Sequence, residues 1–359
     1  MKIGFMAEIA FVSERYSDKN FSSGGYKLNY ILLQGLINKG LKVDLFTDNV
    51  ISNEKNLFNK IYSISLLEKL RDNYSVVFSA KPNIEADMYY IHSHSFLYRK
   101  NKLYNLFSFL FYKLFNYSKY KKRLKIFHKT SECLKKAKKV IVSSQVLKED
   151  VVNNYGVSLE NVYILPPPIE KYELKEQEKN NVFTFGISAT GFANKGGYLL
   201  FKSIKELKKR GYKFKVRFIY SSPNLWIKFL MKVYRIEEFC VFNSIYSDMS
   251  RFYYSIDCLL LPSYLEAFGM VATEALSTGC PVIVASHCGA SDIIESGING
   301  FVFDFDKKTV QNLADYMETV LNLSNDRREK MKEYCIKSVE DLLAERFVEK
   351  FCDLLPLCY

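Results

Sequence analysis

"SYLEAFGMVATEALSTGCPVI", Ser263 to Ile283, sets Glu266 and Glu274 eight positions apart with a Phe-Gly step between them. It overlaps the apolar run "DCLLLPS", Asp257 to Ser263, which reads as a buried strand. "YLEAFG" is then the loop leaving the carboxyl end of that strand, and "MVATEALSTG" is a helix stopped by Gly279 with Pro281 soon after. Glu266 therefore belongs to the loop and Glu274 to the helix, one to two turns in. The amides of Phe268, Gly269 and Met270 open the helix, where free N–H groups suit a phosphate and Gly269 lets a ligand come close to the backbone. A carboxylate at Glu274 suits the vicinal hydroxyls of a ribose. Together the two acids would grip two ends of one nucleotide-linked ligand.

Outward from this stretch, strands and helices alternate. "KIGFMA" reads as a first strand and "KLNYILLQGLINKG", with Gly40 as its stop, as the following helix. "KVDLFT", "YSVVFSA", "ADMYYIHSH", "KKVIVSS" and "NVYILP" continue the strands up to Pro166, Pro167 and Pro168, the clearest linker signal in the chain. The order then restarts with the strand "VFTFGIS", the helix "GYLLFKSIKELKKRG", the strands "KFKVRFIYS" and "DCLLLPS", the helix described above and the strand "PVIVAS". Such alternation, run twice, predicts an α/β protein of two doubly wound Rossmann-like domains facing a central cleft. The expected boundaries are an N-terminal domain at 1–168, a linker at 169–182, a C-terminal domain at 183–340 and a helical tail at 341–359 that packs back toward the N-terminal domain.

Composition agrees with two globular cores, since 48% of the 359 residues are hydrophobic. The eight cysteines show no C-x-x-C pair and no regular spacing, which argues against a zinc ribbon or disulfide framework and for reduced core thiols of a cytoplasmic protein. The first residues have a short apolar run broken by Glu8 and no small-residue cleavage site, and no later stretch stays uncharged for a membrane span. The expectation is a chain neither exported nor membrane-spanning. Residues 1–168 hold 26 Lys and Arg against 14 Asp and Glu, while residues 169–359 hold 25 of each kind, so the first half carries the whole net charge of +12. Phe96 to Lys129 has ten cations and no acid among many Phe, Tyr and Leu residues. That mixture suits an anionic membrane surface. A core helix with a solvated basic face is the alternative, and single-stranded nucleic acid a third that no recognition motif supports.

The run P-S-x-x-E-A-F-G-x-x-x-x-E-A-x-x-x-G-x-P-V, Pro262 to Val282, resembles the E-x7-E signature of retaining glycosyltransferases with the two-domain GT-B fold, most closely glycosyltransferase family 4. "GASDIIESGINGFVFD", Gly289 to Asp304, is similar to a further segment of that family, and "KVIVSS" and "LPPPIE" stand where the family has a strand and its interdomain linker. The resemblance runs through the whole chain and is dense in the second half. It implies transfer of a hexosyl group, with retention, from a nucleotide diphosphate sugar, a UDP-sugar, to a glycan or lipid-linked acceptor in envelope polysaccharide or glycolipid assembly. The charge division, rather than the resemblance, points to docking on the anionic cytoplasmic face of the membrane through residues 96–129. No nucleic acid, cofactor or metal is expected.

Carried over residue by residue, the resemblance places Glu266 by the donor sugar hydroxyls, Glu274 on the ribose and the amides of Phe268, Gly269, Met270 and Val271 at the sugar and diphosphate. "TGFANKGG" implies Lys195 as a phosphate ligand, a contact type that contributes about 1.5–3 kcal/mol. The Arg expected shortly before that Lys is missing; Ser188, Ala189 and Thr190 stand there, so either Lys195 acts with helix amides alone or a cation such as Arg217 or Arg251 substitutes. "FSSGGYKLN" puts Gly24 and Gly25 in the loop before the first helix, where the family brings a glycine amide to the phosphate; a tight turn is the other use for the pair. "YYIHSHSF" matches the family's H-x-H and implies His94 at the sugar or acceptor, with His92 on the same strand sharing its face. A metal pair there lacks a third ligand. The family's next strand and its second His are replaced by the basic segment, where His128 could stand in but its helical setting favours surface exposure. The catalytic set is thus Glu266, Lys195 and His94. Two other classes stay open: a sugar-nucleotide epimerase on the same fold, whose acid-base residues are not recognisable, and a nonenzymatic partner subunit, against which Glu266, Glu274 and Lys195 argue.

Overall fold

The computed structural model describes residues 9–13, 16–17, 24–47, 50–51, 60–95, 117–169, 172, 182–188, 191–219, 223–243 and 249–356. The chain divides into two units, Met1–Pro168 with Leu342–Tyr359, and Ile169–Asp341. The first holds strands β1 (Ile9–Val12), β2 (Tyr16–Ser17), β3 (Val43–Phe46), β4 (Val50–Ile51), β5 (Ile61–Tyr62), β6 (Val76–Ser79), β7 (Met88–Ile91), β8 (Lys139–Val142) and β9 (Val162–Ile164). Its helices are α1 (Gly24–Asn38), α2 (Leu67–Leu70), α3 (Tyr117–Lys136) and α4 (Gln145–Asp150). The second holds β10 (Thr184–Ser188), β11 (Lys215–Ile219), β12 (Cys240–Asn243), β13 (Cys258–Leu261), β14 (Val282–Ala285) and β15 (Gly300–Phe303). Between and after them come α5 (Gly197–Lys209), α6 (Leu225–Tyr234), α7 (Met249–Tyr254), α8 (Met270–Ser277), α9 (Thr309–Leu321) and α10 (Asn325–Lys337). A last helix, α11 (Ala344–Leu354), belongs to the first unit. The strand expected at "KIGFMA" lies outside the described residues.

In the first unit seven strands pair in the order β5-β3-β1-β6-β7-β8-β9, all parallel. β1, β3, β6 and β7 are buried at every position, the mark of strands covered on both faces. α1 supplies Leu28, Leu32, Leu33 and Leu36 to a core with Phe11, Phe78 and Tyr90 of the sheet. α11 closes the same core with Phe347, Val348 and Phe351. A Cβ on Gly35 of α1 would lie 2.2 Å from Val348 Cγ2, so the two helices pack this closely because residue 35 has no side chain. Phe351 sets its edge on Phe78 at 5.1 Å, and Lys139 Nζ donates to the Leu354 carbonyl at 2.8 Å, a cation at the helix C-terminus.

The second unit's sheet runs β12-β11-β10-β13-β14-β15, again all parallel. The chain starts at β10, winds out to β12, then returns to the other side of β10 as β13. Winding reverses between β10 and β13, and in such sheets ligands bind beyond the carboxyl ends of those two strands. The periodicity-based reading of this unit omitted β12, β15, α6, α7, α9 and α10; β12 and β15 are the two edge strands of the sheet.

Of the basic segment, Phe96 to Asn116 lies outside the described residues, including Phe107, Phe109, Phe111, Tyr112, Lys113 and Phe115. The rest forms the first part of α3, which exposes Lys119, Lys121, Lys122, Arg123, Lys125 and Lys129 and buries Phe127, Thr130, Cys133 and Leu134. No described helix is long and apolar enough to cross a membrane.

Because Phe351 is fully buried between α1 and the sheet, Phe351→Ala should cost the first unit about 3–5 kcal/mol. Urea unfolding followed by circular dichroism reads this, and an unchanged midpoint would mean that α11 is not part of that core.

Candidate active site

The loops that follow β10 and β13 meet at the point where the second sheet reverses. Gly196 closes the first loop with φ +77°, and a Cβ there would sit 1.9 Å from the Pro262 carbonyl oxygen in the second. No other residue fits. The Tyr264 amide donates to the Asn194 carbonyl at 3.0 Å, a second latch between the loops. Lys195, beside Gly196, and Glu266, four residues past Pro262, are thereby brought together: Lys195 Nζ donates to Glu266 Oε2. Their side chains are 25% and 20% exposed, so the pair is half sheltered but open to a ligand.

The Glu266 loop is held on its far side by the segment after β14. The Glu266 carbonyl accepts from the Gly289 amide at 3.2 Å, and the Phe268 carbonyl accepts from the Ala290 amide at 2.7 Å and from the Cys288 thiol at 2.9 Å. Burial and the neighbouring Glu266 charge push the Cys288 thiol pKa up, so it stays a neutral donor. Gly269 has φ +94°, with Leu261 and Cys288 within 3 Å of where a Cβ would be. α8 starts at Met270, directly after Gly269. Its first amides, with those of Gly269 and Val271, have no acceptor within the helix and are suited to an anion. Phe268 contributes a buried ring rather than a surface group.

Glu274 lies on α8 and is only 8% exposed. Its carboxylate accepts a 2.6 Å hydrogen bond from the hydroxyl of Tyr253, a buried residue of α7. Burial first, and the Glu274 charge second, raise the Tyr253 pKa well above its usual value, so the phenol remains the donor. The Tyr253 ring in turn lies 6.0 Å from that of Tyr172. Sequence reasoning missed Tyr253, because nothing in "RFYYSID" distinguishes one of two adjacent tyrosines.

In the first unit, β7 ends at Ile91, so His92 and His94 sit in the loop leaving its carboxyl end. They do not share a face: His92 is exposed, while the His94 side chain is 1% exposed. His94 Nδ1 lies 3.2 Å from Asp150 Oδ2. Asp150 also accepts from the Ser95 amide at 2.7 Å, the Ser95 hydroxyl at 2.6 Å and Asn154 Nδ2 at 2.9 Å. Asp150, which orients His94, was another residue the sequence did not signal. Gly24 and Gly25 are the first two residues of α1, not a loop before it. His128 is exposed on α3. Of the substitute cations, Arg217 lies mid-strand in β11, its buried Nε without a hydrogen-bond partner among the described residues, and Arg251 is exposed on α7. Ala189 and Thr190 lie outside the described residues.

Residues 168–338 match the family model "Glycosyl transferases group 1", so the second unit carries a glycosyltransferase group 1 domain. The capsular polysaccharide biosynthesis glycosyltransferase CapM of Staphylococcus aureus is 27% identical over 199 residues, 51% of this chain and 49% of that protein. The D-inositol 3-phosphate glycosyltransferase of Mycobacterium marinum is 37% identical over 54 residues, 15% of this chain and 12% of that protein. The chain thus spans about half the length of CapM and less of the second relative. Among solved structures, WaaG, a glycosyltransferase involved in lipopolysaccharide biosynthesis, superposes with a TM-score of 0.74 at 17% identity over 97% of this chain and 99% of that one. HepE of Anabaena in complex with UDP-glucose gives 0.70 at 12% identity over 97% and 98%. At this identity the likeness shows the fold: two Rossmann-like domains of the GT-B type.

Gly196→Ala must strain a left-handed backbone and push the Pro262 carbonyl away, which predicts a cost of at least about 2 kcal/mol to the second unit. Calorimetric unfolding reads it. A variant as stable as the parent would show that the two loops separate freely.

Proposed function

From a second unit that carries a glycosyltransferase group 1 domain, we propose that this protein is a retaining glycosyltransferase. It moves a hexosyl group from a nucleotide diphosphate sugar, a UDP-sugar, to a hydroxyl of a glycan or lipid-linked acceptor in envelope polysaccharide or glycolipid assembly. The observation that carries this reading is the meeting of Lys195 and Glu266 beside the N-terminus of α8, at the reversal point of the second sheet. Support for a UDP-sugar comes from HepE, solved with UDP-glucose, and for an envelope acceptor from the names of CapM and WaaG.

As the glycosidic bond breaks, positive charge grows on the anomeric carbon and negative charge on the departing diphosphate. Stabilising that leaving group is the main electrostatic task. Lys195 and the amides at Gly269, Met270 and Val271 take it, without a metal or other cofactor. Lys195 and Glu266 are paired with each other in the structure. A diphosphate that draws Lys195 away releases the Glu266 carboxylate to accept from the sugar hydroxyls, so one exchange of partners arms both residues. Glu274, pre-set by Tyr253, receives the ribose hydroxyls. A phosphate oxygen on the departing face takes the acceptor proton, and no dedicated base is needed. In this reading the first unit receives the acceptor, His94 is a catalytic group, and the cations of α3 bind an anionic cytoplasmic membrane face.

Incubation with a panel of nucleotide sugars, with and without lipid extract, should release UDP from one donor, with more release when acceptor lipid is present. Lys195→Met should lower turnover about 10²–10³-fold with little change in the fold. Tyr253→Phe and Glu274→Gln should each raise the Kd for UDP by about tenfold, read by calorimetry. Normal turnover in Lys195→Met would hand the leaving group to another cation, and unchanged UDP affinity in Glu274→Gln would remove it from the site.

A further inference from the structure

α6 of the second unit departs from the pattern of a solvated helix. It buries Ile227 and Met231 and exposes Leu225 (85%), Trp226 (55%), Phe229 (53%) and Val233 (52%). Leu225, Phe229 and Val233 recur every fourth residue with Trp226 beside them, so the four form one stripe. The Trp226 and Phe229 rings stack on each other at 5.5 Å. A continuous run of large apolar groups on the surface marks an interaction site. Its charge setting narrows the partner. Lys228 and Lys232 are exposed along one edge of the stripe, Arg235 caps the helix, and no acid occurs from Leu225 to Tyr234. α5 adds Lys205, whose Nζ lies 5.4 Å from the centre of the Tyr234 ring. The first acids, Glu237 and Glu238, come after the helix, and Glu238 is paired with Lys208 at 2.8 Å.

We propose that α6 is a peripheral membrane-docking helix whose partner is a bilayer surface bearing anionic lipid. The apolar stripe enters the boundary between headgroups and acyl chains, where an indole is at home, and the lysine stems run along it to bring their ammonium groups to lipid phosphates. This contact belongs to the second unit and does not depend on the basic segment of the first.

Trp226 is the single tryptophan of the sequence, so its fluorescence reports this helix alone. Added vesicles of equal parts phosphatidylglycerol and phosphatidylcholine should shift the emission to the blue, and lipids brominated in the acyl chain should quench it. Vesicles of phosphatidylcholine alone should do neither. Phe229→Glu should weaken partition to the anionic vesicles by about tenfold or more, because a ring that enters the bilayer is replaced by a charge that the surface repels. The double variant Lys228→Glu with Lys232→Glu should do the same. Both variants change exposed residues, so UDP release in lipid-free buffer should match the parent and show that they fold. Emission that stays unshifted while the protein sediments with the vesicles would overturn the proposal and leave membrane contact to residues 96–129. Self-association in lipid-free buffer that Phe229→Glu abolishes would overturn it in favour of a second copy of this chain.

Discussion

The approach of the Pro262 carbonyl to Gly196 is the constraint on which the candidate site depends. Two loops leave adjacent strands of a parallel sheet at the place where the winding reverses, and they can close on each other only because residue 196 tolerates φ +77° and presents no Cβ. With that contact made, the backbones that carry Lys195 and Glu266 are held close, and their side chains pair. The Tyr264 amide bond to Asn194 and the bonds from Gly289, Ala290 and Cys288 to the Glu266 loop hold the arrangement from both sides. Placement by backbone contacts is stiffer than placement by side chains, and it suits the charge-stabilising role proposed for this site.

In each unit taken by itself, the carboxylates named above come with their own donors. Glu266 has Lys195, Glu274 has Tyr253, and Asp150 gathers His94, Ser95 and Asn154. A buried carboxylate without donors would be costly, so these partners stabilise the fold and also set the direction in which each oxygen points. They differ in how readily they exchange. The Lys195–Glu266 pair is partly exposed and can be parted by an incoming anion, whereas the Asp150 network is closed to solvent and acts on His94 by fixing its orientation.

Elsewhere the molecule shows two ways to treat an amphipathic helix. α11 lays Phe347, Val348 and Phe351 onto α1 and the first sheet, so the chain that has just completed the second unit finishes in the core of the first. α6 keeps Ile227 and Met231 inside and leaves a second apolar face uncovered. Burial accounts for the first arrangement. The second is the face proposed to meet a bilayer, a reading that its cations favour.

The sequence by itself determined the fold class, because strand-helix alternation run twice in parallel order leaves few topologies, and apolar runs such as "VIVA" and "CLLL" are those of strands buried on both faces. Spacing of glycine, proline and helix start also singled out Glu266, Gly269 and Glu274, whereas Lys195 came only through the family resemblance. What the tertiary structure alone decided are relations across long stretches of chain. Lys195 is 71 residues from Glu266, Tyr253 is 21 from Glu274 and Asp150 is 56 from His94, and no local pattern encodes such pairs. The edge strands β12 and β15 escaped that reading, though they are no shorter than β13 and β14. His92 and His94, alike in sequence, were separated into an exposed and a buried residue by the loop that follows β7. Periodicity reports how one segment faces water; which segments then face each other is settled by packing, and packing brought these charges together.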